Sequence, residues 1–290
     1  MFNFLISLLI ASQLALPVSE IIGLTSHQEI FPRRKMTGSF GPVIEAESAL
    51  VLDVNTEKIL YQKNGFKSRP IASITKLMTA LVFLENNKTW NKKIKITQDD
   101  KSNGGKVVWK PGEEVELKDL FKVALIGSIN SAAYELARAT ELSYDEFIAR
   151  MNSKAKELGL KNSVFVEPTG LDQGNQSTAI DVAKLIKFAL QQEEIKEALT
   201  MADYTFDNIN GVRHKIVNTN KLLKSYLTIV GGKTGYTEEA GFCLANMVRG
   251  QEIGGDIVVV ILGAGSEEER FQQNKFLSQW VFDNWQWQDQ

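Results

Sequence analysis

Ser73 and Lys76 stand at the spacing i, i+3 in the stretch Ala72-Ser73-Ile74-Thr75-Lys76-Leu77-Met78-Thr79-Ala80. Residues so spaced are neighbours on one face of a helix. A serine hydroxyl alone is a weak nucleophile and needs a base beside it. A lysine one turn away serves as that base if its surroundings hold its pKa below the ordinary value of about 10.4. Here the surroundings are apolar. Ile71, Ile74, Leu77, Met78, Leu81, Val82, Phe83 and Leu84 describe a helix buried nearly all round, which desolvates what it carries. Alone, the pair also fits an N-cap serine followed by a surface lysine. Two further motifs join it. Ser128-Ile129-Asn130 lies at a break between two helical stretches, and Lys233-Thr234-Gly235 follows Gly231-Gly232 at a glycine-rich strand edge. Separately these fit a helix cap and a turn. In this order, on these elements, they form a set that chance does not explain.

The totals narrow the chemistry. The chain has 290 residues, 43% hydrophobic and 23% charged, which is ordinary for a globular protein with a sizeable core. A formal net charge of −2, with no stripe of Lys or Arg, argues against a nucleic-acid partner. Cys243 is the one cysteine, so the chain forms no internal disulfide and offers no zinc cluster. The two histidines, His27 and His214, fall in a leader and in a polar hairpin-like stretch. Serine chemistry in this chain therefore points to a lysine base, without metal or cofactor.

The elements that must position these residues follow from periodicity. Ser48–Val54 and Lys58–Gln62 read as a strand pair, and the Ser73 helix runs to about Asn86. A short strand at Lys93–Thr97 precedes helices over Leu117–Ile126, Ala132–Ala137, Tyr144–Leu158, Ser177–Ala189 and Glu193–Thr200. The chain then returns to strands. A hairpin turns at Asn210-Gly211, and further strands begin at Ile229, Gly241 and Asp256. Glu267 to about Trp285 closes the chain as a helix, with Phe271, Leu277, Trp280, Val281 and Trp285 on or near one face. Strands at both ends with helices between them give an α+β fold. Its antiparallel sheet is built from both chain ends, with flanking helices and an inserted all-helical subdomain.

The three motifs and their wording resemble the penicillin-recognising serine enzymes, and within them the low-molecular-mass D-alanyl-D-alanine carboxypeptidases. The resemblance rests on Ala72–Ala80, on Leu125–Ala133, on Gly231–Thr237 (GGKTGYT), and on Glu167–Asp172 followed by Ser177-Thr178-Ala179. It covers roughly residues 45–285. Ser131 stands where an acidic residue is common, at a position that carries none of the motif's chemistry. The resemblance implies a β-lactamase/transpeptidase-like fold and an acyl-enzyme at Ser73, with Lys76 taking the proton and Ser128 relaying it to the leaving nitrogen. It implies that Asn130 binds the substrate amide and Lys76, and that Lys233 and Thr234 bind the terminal carboxylate. Gly235 allows close approach at the strand edge, and the N–H groups of Ser73 and Tyr236 form the oxyanion hole. Lys233 is also expected to help depress Lys76. The implied partners are a peptidoglycan stem peptide ending in D-alanyl-D-alanine and β-lactams as covalent inhibitors.

Three rival functions remain. A D,D-endopeptidase would cut crosslinks with the same machinery. A class A β-lactamase would need a loop glutamate with an asparagine a few residues on. Glu167 fits the first requirement, but Leu171 stands where the asparagine is expected. A non-catalytic wall-binding homologue would not need all three motifs. At the N-terminus, Phe2–Leu16 is too short for a membrane span of ~20 residues and fits a secretory h-region, although no basic residue precedes it. Residues 1–19 therefore read as a signal peptide or membrane anchor, 20–43 as a linker and 44–290 as the catalytic domain. The location is the cell envelope, with a tether through residues 2–16 if that segment stays uncleaved. Trp280, Phe282, Trp285 and Trp287 suggest membrane contact, but packing on the sheet accounts for most of them.

Overall fold

A computed structural model describes residues 30–87, 89–97, 108–251 and 255–289. The expected signal segment lies outside the described residues. In chain order the strands are β1 (Ile30–Arg34), β2 (Ser48–Asp53), β3 (Ile59–Lys63) and β4 (Arg69–Pro70). A 3-10 turn at Ala72–Thr75 leads into α1 (Lys76–Asn86). Short strands β5 (Lys93–Lys95) and β6 (Glu114–Glu116) precede α2 (Leu117–Ile126), α3 (Asn130–Ala139) and α4 (Tyr144–Glu157). Then come β7 (Gln176–Ser177), α5 (Ala179–Ala189) and α6 (Glu193–Thr200). The hairpin β8 (Asp203–Asp207) and β9 (Arg213–Val217) follows, then a 3-10 turn at Lys221–Lys224. The chain ends with β10 (Ile229–Thr237), β11 (Gly241–Val248), β12 (Ile257–Ala264), α7 (Glu267–Asn284) and β13 (Trp285–Asp289).

The main sheet is antiparallel, in the order β10-β11-β12-β2-β3, so both chain ends build it as expected. The adjacent interior strands β2 and β12 are mainly apolar without polar alternation because both faces are covered. On one face Leu50, Leu52, Val258, Val260 and Leu262 join the core beneath α1 and α5. On the other, Ala49, Val51, Ile257, Val259 and Ile261 pack with Leu277 and Val281 of α7. The period-two split of one strand between two cores follows from the pleat. The helical insert, α1 to α6, sits between β3 and β10 in the chain and carries the first two motifs.

Two expectations change at the edges. The stretch read as a linker contains β1, which pairs with β13 along its whole length. The closing helix stops at Asn284, and Trp285 and Trp287 belong to β13, both buried against the second core. A single hydrogen bond shows why Trp287 turns inward. Its indole Nε1 donates to Asp53 Oδ2 at 2.8 Å, while Asp53 Oδ1 accepts from Thr56 N at 2.8 Å and caps the β2–β3 turn. Burying an indole satisfies its one polar group as well as its apolar ring. His214 is not solvated. It lies on β9 with Nε2 2.7 Å from Glu113 Oε2, away from the cleft described next.

Candidate active site

Residues from all three motifs line one cleft of about 330 Å³: Ser73, Ser128, Asn130, Thr234, Gly235 and Tyr236. Ser73 sits in the 3-10 turn that opens α1, and the residue before it, Ala72, has φ +47°. Ser128 has φ +58° in the link between α2 and α3. Non-glycine residues rarely adopt this region, and each costs about 1–3 kcal/mol unless the surroundings enforce it. One of the two positions flanks Ser73 and the other is Ser128, both candidate reacting groups. The edge strand β10 lies close against the nucleophile turn. A side chain at Gly235 would meet Ile71 O at 2.9 Å and Ser73 N at 3.1 Å, so only glycine lets the strand edge come this near.

Lys76 is the centre of the arrangement and is buried beneath the cleft floor. Its Nζ lies 2.8 Å from Ser73 Oγ, 2.7 Å from Asn130 Oδ1 and 2.6 Å from Thr169 O. A neutral amine has two N–H donors and one lone pair. Asn130 Oδ1 and Thr169 O, which can only accept, take the two donors, and the lone pair then faces the Ser73 hydroxyl. Burial lowers the Lys76 pKa to about 7, against the opposing pull of the Glu167 carboxylate. A shift of that size is worth roughly 5 kcal/mol against the charged form. Lys233, expected to help depress Lys76, is not among the causes of that shift. Lys233 is itself pushed well below the ordinary lysine value, first by burial and then by the charges of Lys76 and Arg270. Its Nζ donates to Ser128 Oγ at 2.7 Å and to Thr234 O at 3.0 Å.

Acylation that depends on neutral Lys76 must rise with pH and level off above about 7. From pH 6 to pH 8 the neutral fraction, and with it the acylation rate constant, should increase about tenfold. Stopped-flow acylation by a fluorescent penicillin measures this, and a flat profile would remove Lys76 from the role of base.

Several residues of this site carry no recognisable sequence signal. Thr169 contributes a backbone carbonyl, so no side-chain motif reports it. Gly170 lies under the nucleophile turn, and its signal is only its place in Glu167–Asp172. Thr219 Oγ1 lies 2.6 Å from Thr234 Oγ1, and Arg270 of α7 donates to Gly235 O at 3.0 Å; both line the cleft. An arginine on an amphipathic helix looks like any surface cation. Glu167 is not a free loop carboxylate. It accepts from Thr169 N and Thr169 Oγ1, both at 2.6 Å, and from Gly170 N and Asn175 Nδ2. Thr79 Oγ1 donates to Pro168 O at 2.6 Å and ties the same loop to α1. Glu167 thus folds the loop that presents the Thr169 carbonyl to Lys76.

Comparison with known proteins gives a consistent result. The family profile described as D-alanyl-D-alanine carboxypeptidase matches residues 35–266. The chain is 38% identical to the D-alanyl-D-alanine carboxypeptidase DacF of Bacillus subtilis over 236 residues, covering 79% of this chain and 60% of that protein. It is 36% identical to the D-alanyl-D-alanine endopeptidase of Escherichia coli over 245 residues, covering 83% of this chain and 78% of that protein. The chain thus spans less than two thirds of the Bacillus relative. Among solved structures it is similar to a Streptomyces DD-transpeptidase, with a TM-score of 0.78 and 27% identity. It is also similar to a penicillin-binding protein of Listeria monocytogenes in its cefotaxime-bound form, with a TM-score of 0.74 and 31% identity. Each alignment covers 84% of this chain and 100% of the other.

Proposed function

Because the chain belongs to the D-alanyl-D-alanine carboxypeptidase family, we propose that it removes the terminal D-alanine from peptidoglycan stem peptides through an acyl-enzyme at Ser73. The observation that carries this reading is the triple contact of the buried Lys76 amine with Ser73 Oγ, Asn130 Oδ1 and Thr169 O. Ser73 Oγ attacks the penultimate D-alanine carbonyl as its proton passes to Lys76. The oxyanion forms against the N–H groups of Ser73 and Tyr236, where losing one donor typically costs about 10²–10³ in rate. Ser128, which takes a hydrogen bond from Lys233, passes a proton to the departing nitrogen. Thr234 and Lys233, with Thr219 and Arg270 on the same side of the cleft, hold the terminal carboxylate. That carboxylate brings a negative charge to Lys233, whose own charge is disfavoured by burial and by the neighbouring cations. Water then hydrolyses the ester, and a β-lactam takes the place of the substrate and acylates Ser73.

Mass spectrometry should find one penicilloyl adduct on Ser73, no adduct on Ser73→Ala, and D-alanine released from a pentapeptide. Rapid turnover of a chromogenic cephalosporin without a stable adduct would favour a β-lactamase instead. The closed hydrogen-bond set of Glu167 speaks against that reading, because its oxygens already serve their own loop. Absence of any adduct would leave a non-catalytic wall-binding protein. The same reading puts the protein in the cell envelope, with residues 2–16 as leader or tether. Among the described residues no helix is long and apolar enough to cross a membrane. A second reading, cleavage of crosslinks, is favoured by the likeness to the D-alanyl-D-alanine endopeptidase of Escherichia coli.

A further inference from the structure

The cleft continues past the residues that hold the leaving group. Lys221 and Glu267 line it, and the same two residues line a second groove of about 660 Å³ between the 3-10 turn Lys221–Lys224 and the start of α7. The groove has an apolar floor, Leu222 and Phe271, both buried. Its rim is basic, carrying Lys221, Lys224 and Lys275. Glu267 is shared between Lys221 and Arg270, and Glu268 is the remaining acid of the lining. Among the described residues neither Lys224 nor Lys275 makes an ion pair. The Lys221–Glu267 pair between the two spaces is half exposed, with side-chain accessibilities of 64% and 46%. Such a pair is weakly held in water and opens readily.

We propose that this groove binds the second stem peptide of a crosslinked substrate. The inference rests on the D,D-peptidase reading of the Ser73 site and names its leaving-group partner. A departing D-alanine is small and fills only the Thr234 end of the cleft. In a crosslink, the leaving residue keeps a carboxylate for that same end, but it also carries an arm that continues into another peptide with further carboxylates. The path from Thr234 past Lys221 and Glu267 leads into a space with an apolar floor for the arm and lysines at the rim for the carboxylates. Opposite charges at this range raise encounter and binding at low salt and are screened by added salt.

The test compares a crosslinked muropeptide dimer with a monomeric pentapeptide, using the full chain and the double variant Lys224→Glu/Lys275→Glu. The charge reversals should lower kcat/KM for the dimer by about tenfold while leaving pentapeptide hydrolysis and penicillin acylation within about twofold. Raising ionic strength should slow the dimer selectively in the unmodified protein. An unchanged ratio of the two activities would overturn the groove assignment and leave the peptidase reading standing. So would an unmodified protein that trims the pentapeptide but does not cut the dimer. A protein that takes penicillin yet cleaves neither peptide would overturn the peptidase reading itself.

Discussion

Lys76→Met should slow acylation of Ser73 by penicillin by about 10³–10⁴-fold, the upper part of the range for loss of a positioned base. The variant keeps nearly the same volume and removes the one group that contacts Ser73 Oγ, Asn130 Oδ1 and Thr169 O together. Its stability should move the other way or not at all. Losing the hydrogen bonds from Nζ to the Asn130 and Thr169 oxygens costs about 1–3 kcal/mol each. Removing an amine whose charged form is disfavoured by roughly 5 kcal/mol offsets that at pH 6. Activity and stability therefore separate. Stopped-flow labelling gives the rate and calorimetry gives the midpoint. A decrease of less than tenfold in the labelling rate, with the fold intact, would mean that another group takes the proton.

Gly170→Ala is the second large effect, and it acts through the backbone. The added Cβ would fall 2.0 Å from Ala72 O, 2.4 Å from Ala72 C and 2.9 Å from Ser73 N, at a φ of +88°. None of these atoms is the end of a flexible side chain, so the loop must leave the nucleophile turn. Thr169 O then leaves Lys76, and Ser73 loses the turn that sets its direction. The expected cost is about 2–4 kcal/mol of stability, combining the left-handed penalty with overpacking. Acylation should decline by about 10²-fold or more, as a displacement of about 1 Å suffices for that. Gly112→Ala is the control. Gly112 has a φ of +91° but nothing within 4 Å of the added atom. It should lose only about 1–2 kcal/mol and keep its acylation rate. Equal losses of rate in the two variants would show that backbone strain alone, and not the contact with Ala72, matters at Gly170.

The difference between these two glycines shows where sequence reading stops. Both sit in ordinary turn contexts, and both take positive φ. Only the approach of a segment nearly a hundred residues away in the chain makes one of them indispensable. The same holds for Arg270 and Thr219, whose residue types are unremarkable until β10 and α7 bring them to the cleft. It holds also for Trp287, one of the aromatics near the C-terminus with no assigned partner until β13 pairs with β1 and its indole meets Asp53. Glu167 carries no signal in the sequence for the backbone amides of Thr169 and Gly170 or for the Thr169 hydroxyl and Asn175 amide that it gathers, because only the folded loop brings them to it.

What the sequence determines by itself is local and periodic. The i, i+3 pair Ser73 and Lys76, the apolar surround of α1, the break at Ser128, the edge glycines beside Lys233, and strands at both ends all follow from patterns within about ten residues. Those patterns fix the side-chain chemistry and the element types, because helix and strand periods are properties of the local backbone. The tertiary structure decides which partner each reacting group meets. Lys76 finds Asn130 at a separation of 54 residues and Thr169 at 93, and Lys233 finds Ser128 at 105. Such contacts depend on how the sheet closes and how the helical insert packs on it. That packing suits Lys76 to the proposed role of base, since burial is what brings its pKa to about 7.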